Sequence, residues 1–447
     1  MILQHVAGLV DQVWDVERRE RVGALDHELV PGRKAGQRLA GLQGGERAAQ
    51  PAQIERRVRH GRNGLARPAN VKGKLDGAAT APPQGAMNGH LSSLTPIGEV
   101  LARVEALARP VAPREAALAD AEGRVLAADV AVKATLPHAA IALVDGWAVR
   151  AETVADAGAY APMLLVPAPS WVDAGDAMPR DTDAVLPPDA VTDDAGGAQA
   201  HAAATVGDGV LAAGADAAPD RPLRLAGERL RAVDVAALQA AGIARVLVRE
   251  PRVRVVAMPG CDAVALAISR GVAAHGANVI FVRALERALA DEQTDIVIAI
   301  GGTGAGRKDG SVAMLARMGE IAIHGFGIAP GETAALGAVK GHPVLMLPAR
   351  LDAALSGFLI VGEALLRRLT GAATSETAMP VTLTRKIVST VGLAEVVPVR
   401  RVAGGLEPLA MGHWPIQAIA RADGWVLVPP ESEGFAAGTQ LEMRAFP

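Results

Sequence analysis

Cysteine is almost absent from this chain: Cys261 is the single one in 447 residues. One thiol excludes an internal disulfide framework and any zinc site built on cysteine pairs. Aromatic residues are scarce as well, at 2%. Half of the chain is apolar all the same, so Ala, Val and Leu must fill the cores with few large anchors. No apolar run approaches the roughly 20 residues that cross a bilayer as a helix. The longest, Ile-Val-Ile-Ala-Ile at 296–300, is strand-sized. The opening residues carry acids inside their apolar stretch and do not read as a signal peptide. Excess positive charge is missing too, and a net charge of −3 argues against a general nucleic-acid binder. The expectation is a soluble cytoplasmic protein with no nucleic-acid or membrane partner.

A chain this long exceeds one ordinary core and should form several domains. Residues 1–86 stand apart, with 11 Arg and 3 Lys against 9 acids and no sustained helical or strand period. They read as a disordered extension or as sequence upstream of a start at Met87, with a basic arm for RNA or an acidic partner as the sharper alternative. Patterned sequence begins at Leu94. Pro96 followed by apolar residues at 97, 100, 101, 104 and 107 predicts an amphipathic helix. The stretch 138–219 is rich in Ala, Gly, Asp and Pro with short apolar runs, which suits a small β-domain with long loops. Residues 251–373 alternate strand and helix patterns and predict a three-layer α/β domain on a parallel sheet. Its last helix ends in two arginines and Gly371. Residues 374–447 alternate short strands with glycine turns and read as a further β-domain.

The informative loop is Gly-Gly-Thr-Gly-Ala-Gly-Arg-Lys-Asp-Gly-Ser at 301–311, between the apolar strand and a helix. In an open α/β sheet this strand-to-helix crevice is where ligands bind. Gly301, Gly302, Gly304 and Gly306 let backbone N–H groups approach an anion closely, and the helix start adds partial positive charge. A phosphate-bearing ligand is the physical expectation; a merely tight turn is the bland one. The loop lacks the Gly-Lys-Ser/Thr of a Walker loop and the G-x-G-x-x-G spacing of a dinucleotide fingerprint. It also echoes the tubulin-type GTPase loop, which leaves GTP binding open.

Gly-Gly-Thr-Gly followed by Asp309 resembles the molybdopterin-binding fold of molybdenum-cofactor synthesis. Three further segments, in order, are similar to the molybdopterin molybdenumtransferases (MoeA-type). They are LPHAAIALVDGWAVRA at 136–151, IAPGETAALGAVKGHPVLMLPARLDAALSGF at 328–358 and PIQAIARADGWVLVPPESEGFAAGTQLEM at 415–443. The resemblance implies a discontinuous linker domain at 94–137 and 220–250, with the β-domain at 138–219 inserted in it. The α/β molybdopterin-binding domain at 251–373, a β-barrel-like tail at 374–447 and a homodimer complete the implied layout.

It further implies Mg²⁺-dependent insertion of molybdate into adenylylated molybdopterin with release of AMP. Asp145, Glu228, Asp262 and Asp309 correspond to family acids and are the candidate catalytic residues, with Asp145, Glu228 and Asp309 as candidate Mg²⁺ ligands. Each has a plainer fate: Asp145 as a turn acid, Glu228 as a surface carboxylate, Asp262 as a helix cap. The candidate pterin-binding set is Gly301, Gly302, Thr303, Gly304, Gly306, Arg307, Lys308, Ser311, Pro330, Gly331, Pro348 and Arg350. Basic residues depart from the family: Ala329 and Glu332 stand where it carries lysines, and Ala349 and Arg350 where it has Gly-Asn. Arg307, Lys308 and Arg350 supply charge from other positions, although surface arginines are more often simply solvated. These departures keep open a non-catalytic molybdopterin carrier, and the GGTG form keeps open an adenylyltransferase. Other cofactor-assembly proteins and apo-molybdoenzymes are the further partners implied. Cys261 reads as a small buried apolar residue, and His324 and His342 lack ligand spacing.

Overall fold

The computed structural model describes residues 93–194, 196–307, 309–373 and 380–447. The expectations for residues 1–86 and for Lys308 lie outside the described residues.

The six-stranded sheet at the centre of the chain sets the site. Its strands are β1 (Arg252–Ala257), β2 (Asn278–Phe281), β3 (Ile296–Ile300), β4 (Glu320–His324), β5 (Ala335–Val339) and β6 (His342–Leu347), in the order β2-β1-β3-β6-β5-β4. The pairs β1–β2, β1–β3 and β3–β6 are parallel, and β5 runs antiparallel between β6 and β4. Period-two alternation explains why β3 is apolar throughout. Ile296, Ile298 and Ile300 face one layer together with Val253 and Val255, while Val297 and Ala299 face the other. The first layer holds α1 (Asp262–Ala274) and α4 (Leu351–Gly357); the second holds α2 (Leu285–Ala290) and α3 (Ser311–Met318).

The long helix expected at the end of this domain is three segments in one run. After α4 comes a π-helical turn, Phe358–Gly362, and then α5 (Glu363–Thr370), closed by the left-handed Gly371. Phe358 is fully buried and presses on Gly271 of α1 so closely that a Cβ there would lie 2.6 Å from its ring. Leu365, Leu366 and Leu369 of α5 share the first core layer with Val100 and Val104, on the helix Ile97–Leu107. A β-bridge between Thr95 and Phe326 ties the entry to that helix onto the α/β domain.

The strands Arg114–Ala117, Arg245–Arg249 and Val125–Leu126 form a small antiparallel sheet, packed by the helix Ala232–Ala240. Partners more than a hundred residues apart flank the inserted segment. The insert carries two three-stranded antiparallel sheets around Gly146–Val149 and Gly197–Ala200, over a core of mostly Ala and Val with Leu165 and Leu186. At the C-terminal end the long strand Ala394–Val402 pairs with Gly424–Val428 and Gly405–Pro408. It also pairs, in parallel, with Ile328–Ala329, so the α/β domain lends a short strand to the C-terminal sheet. The strand pairings trace open sheets, with no closed ring among the described residues. Among the same residues no helix is long and apolar enough to cross a membrane.

Candidate functional site

Gly301 and Gly302 leave β3 with φ of 93° and 74°, the left-handed region that glycine reaches without penalty. Neither position has room for a side chain. A Cβ on Gly301 would lie 3.0 Å from Cys261 Sγ, and one on Gly302 would lie 2.4 Å from Ser311 Oγ. Ser311 Oγ donates to Gly301 O at 2.9 Å and Ser311 N to Gly302 O at 3.2 Å, so the first residue of α3 staples the loop's beginning to its end. Thr303 is buried; its hydroxyl meets Thr333 Oγ1 at 3.1 Å, and its carbonyl meets His324 Nε2 at 3.0 Å. Gly301 N donates to Leu347 O at 2.8 Å and Met258 N to Ile300 O at 2.9 Å. Three strand ends therefore converge on one carboxyl edge.

The remainder of the loop, Ala305 to Gly310 apart from Lys308, is exposed, and Arg307 and Asp309 lie on this stretch. Asp309 turns inward: its Oδ2 accepts the Gly306 N–H at 3.1 Å, and a Cβ on Gly304 would lie 2.7 Å from that oxygen. The carboxylate thus lies against Gly304 and Gly306 of the loop. Any phosphate entering must displace it or share it with a cation.

The rim comes from two domains. Pro330 and Gly331 follow the lent strand, and a Cβ on Gly331 would lie 3.0 Å from Ala353 O, which seats this turn on α4. Glu332 Oε2 accepts the Gly331 N–H at 3.0 Å. Pro348 is buried at the end of β6, and Arg350 beyond it bonds Asp352 at 2.6 Å. Asp352 is nearly inaccessible, yet it also accepts His413 Nδ1 at 2.7 Å and Trp414 N at 3.1 Å from the C-terminal domain. Burial pushes its carboxyl upward, and the bonds from Arg350, Trp414, His413 and Ala353 outweigh that, leaving it below the usual carboxylate range. Beside it the buried Glu395 accepts the Gly412 N–H at 2.5 Å.

The other candidate acids stand in separate surroundings. Asp262 is the exposed first residue of α1, next to the glycine edge through Cys261. Burial, with the Asp262 charge as the smaller cause, pushes the Cys261 thiol up, so it stays a neutral thiol in the core. Asp145 lies on the exposed turn into Gly146–Val149, where its Oδ1 accepts the Ala174 N–H at 2.7 Å. Glu228 accepts the Leu225 N–H at 2.8 Å and pairs with Arg224 at 3.0 Å. Both carboxylates brace their own turns. Among the described residues no group of three or more His, Cys, Asp or Glu is gathered as a metal cage. Sequence reasoning missed Thr333, Asp352, Glu395 and His413, whose partners lie in distant segments.

Two family models match this layout. The description "MoeA N-terminal region (domain I and II)" covers residues 95–242, and "Probable molybdopterin binding domain" covers 278–368, which includes the glycine loop. The chain belongs to the MoeA-type family. A crystal structure described as the molybdopterin biosynthesis MoeA protein of Pyrococcus horikosii is 25% identical, with a TM-score of 0.64 over 79% of this chain and 100% of that one. A second, from Pyrococcus horikoshii OT3, shares the fold at 20% identity and a TM-score of 0.65, over 79% of this chain and 100% of that one. A curated molybdopterin biosynthesis protein of Methanocaldococcus jannaschii is 26% identical over 163 residues, 36% of this chain. The match spans 38% of that relative's length.

Proposed function

We propose that this MoeA-type chain acts in molybdenum cofactor biosynthesis, inserting molybdate into adenylylated molybdopterin with release of AMP. One observation carries the reading. The left-handed glycine pair at the end of β3 turns a glycine-rich loop across the carboxyl edge, inside the stretch that matches a molybdopterin-binding domain.

In this reading Gly302, Thr303, Gly304 and Gly306 receive the pterin phosphate. Arg307 offers a planar fork to its oxygens, Arg350, whose Nε and Nη2 bond Asp352, adds positive charge at the rim, and Lys308 adds charge on the same loop. Pro330, Gly331 and Pro348 shape the wall, and Asp262 stands beside it. The fit to Mg²⁺ is of the kind this ion favours, with one or two carboxylates and the rest of its ligands from substrate phosphates and water. Asp309, the acid on this loop, would hold it, and the ion would offset the negative charge of the phosphoanhydride. Asp145 and Glu228 enter as acids whose turns must be brought to the loop, and the homodimer belongs to the same reading. A cytoplasmic setting, other cofactor-assembly proteins and recipient apo-molybdoenzymes complete it.

The test is AMP release by purified protein given adenylylated molybdopterin, molybdate and Mg²⁺. Complementation of a cell lacking molybdate insertion, with the chain from Met87 and an Asp309→Ala control, extends it. One observation favours a second reading, a non-catalytic carrier: Glu332 is an acid on the rim where family lysines would face the anion. Tight molybdopterin binding with no AMP formed would select the carrier.

A further inference from the structure

Asp352 is the most deeply placed acid at this edge, and everything bonded to it from the side belongs to two domains. Three donors share its Oδ2: Arg350 Nη2 at 2.6 Å, His413 Nδ1 at 2.7 Å and the Trp414 N–H at 3.1 Å. Arg350 Nε adds a bond to Oδ1 at 3.2 Å. A carboxylate this heavily bonded stays ionised and acts only as acceptor. In its bond to Asp352 the Nδ1 of His413 is the donor, and in the neutral ring Nε2 then carries the lone pair. Arg350 Nη2 also lies against His413 Nδ1. A protonated Nδ1 cannot accept from it, and the ionised carboxylate is the stronger acceptor for both donors.

We propose that His413 is the proton carrier of the reaction and that Asp352 is its positioning residue, an inference that rests on the functional reading above. The pair is anchored just beyond the end of β6. Arg350 follows Leu347 by three residues, and Leu347 O accepts the Gly301 N–H that opens the glycine loop. Trp414, fully buried with Nε1 on Val396 O at 3.1 Å, fixes the neighbouring backbone. Glu395 holds Gly412 from the other side. The charged groups on the imidazole are Arg350 and Asp352. The ring itself remains largely open to solvent, its side chain 65% exposed, so a proton taken at Nε2 can be returned to water.

In the step itself a water oxygen bonds to one phosphorus of the anhydride as the bridging P–O bond breaks. The electron pair of that bond stays on the departing phosphate oxygen. The proton of the attacking water passes to His413 Nε2. No oxidant, reductant or further reactant is needed.

The experiment compares the full-length protein with His413→Asn, whose short amide can still donate to Asp352, and with Asp352→Asn. His413→Asn should lower kcat for AMP release about 10²–10⁴-fold while KM moves less than about two-fold. Added imidazole should restore part of the rate. Nitrogen NMR of the imidazole should show Nδ1–H in the wild type and its loss in Asp352→Asn. A wild type that releases no AMP overturns the functional reading and this one together. Wild-type release with an undiminished His413→Asn, or a ring carrying its hydrogen on Nε2, overturns this one alone.

Discussion

The carboxyl edge of the α/β sheet and the inserted β-domain both carry candidate acids, and they are built in opposite ways. At the edge, Thr303, Ser311, Asp352 and Glu395 are buried polar groups, and Ile298 and Ile300 beneath them are fully enclosed. In the insert the core is mostly Ala and Val with Leu165 and Leu186, while Leu164, Val166 and Trp171 stand exposed. Residues 138–219 hold 12 acids and 2 arginines, so repulsion works against compactness there. An acid in the first region has its place fixed by packing from several directions. An acid in the second has its place fixed by one turn.

The largest difference should appear in stability. Ile298→Ala removes a fully buried branched side chain from the first core layer, and a loss of about 2–5 kcal/mol is expected. Val154→Ala, equally buried in the insert, should cost about 1–2 kcal/mol, from two methyl-sized groups and a core of small neighbours. Urea unfolding of both variants checks the contrast. Equal losses would mean the insert is packed as tightly as the sheet.

Two glycines give the next contrast. Gly302 and Gly175 both have left-handed φ, but a Cβ on Gly175 meets nothing within 4 Å, whereas on Gly302 it meets Ser311 Oγ at 2.4 Å. Gly175→Ala should cost about 1 kcal/mol, from backbone strain alone. Gly302→Ala adds a collision with the hydroxyl that staples the loop, so about 2–3 kcal/mol is expected. It should also abolish molybdopterin binding, measured by fluorescence of the pterin, and Gly175→Ala should leave that binding intact.

Much of the edge was legible in the sequence because its signals are local. A five-residue apolar strand, four glycines and an acid within the next nine positions placed the loop, and Gly371 marked the end of the last helix. The α/β and β classes followed from periodicity in the same way. The buried half of the rim was not legible. Asp352 sits two residues after Arg350 at the head of a helix and reads there as a solvated first-turn acid. Its burial depends on His413 and Trp414, some sixty residues further on. Glu395 is hidden in an apolar strand by a bond to a backbone N–H that no spacing announces. At the π-helical turn the Phe358 ring lies against Gly271 and Gly362, a contact of packed surfaces that no local spacing announces.

Charge without bulk separates the two regions more finely. Asp309→Asn and Asp145→Asn both keep an oxygen for the backbone N–H each now accepts, from Gly306 and Ala174. Neither should change the unfolding midpoint. Under the functional reading Asp309→Asn lowers AMP release about 10²-fold, the scale for one electrostatic group at the reacting charge. Asp145→Asn should lower it about 10-fold, since that acid acts from a separate turn. Full activity in Asp145→Asn would assign that residue to its turn alone.

The smallest contrast is in acid. Asp352 is depressed in the folded protein, so the unfolded chain binds its proton more readily as pH falls. Its contribution is complete above the ordinary carboxylate range, near about pH 4, and is lost as pH falls through the lower folded value. Asp208 in the insert is also depressed, by the backbone and then the side chain of Thr205, but it is fully exposed and water screens it. Unfolding followed between neutral pH and about pH 3 should therefore lose part of its acid sensitivity in Asp352→Asn. The same titration should be unchanged in Asp208→Asn. Acid should also release the C-terminal domain first, because protonated Asp352 no longer draws Arg350, His413 and Trp414 together, and tryptophan emission from Trp414 reports that release.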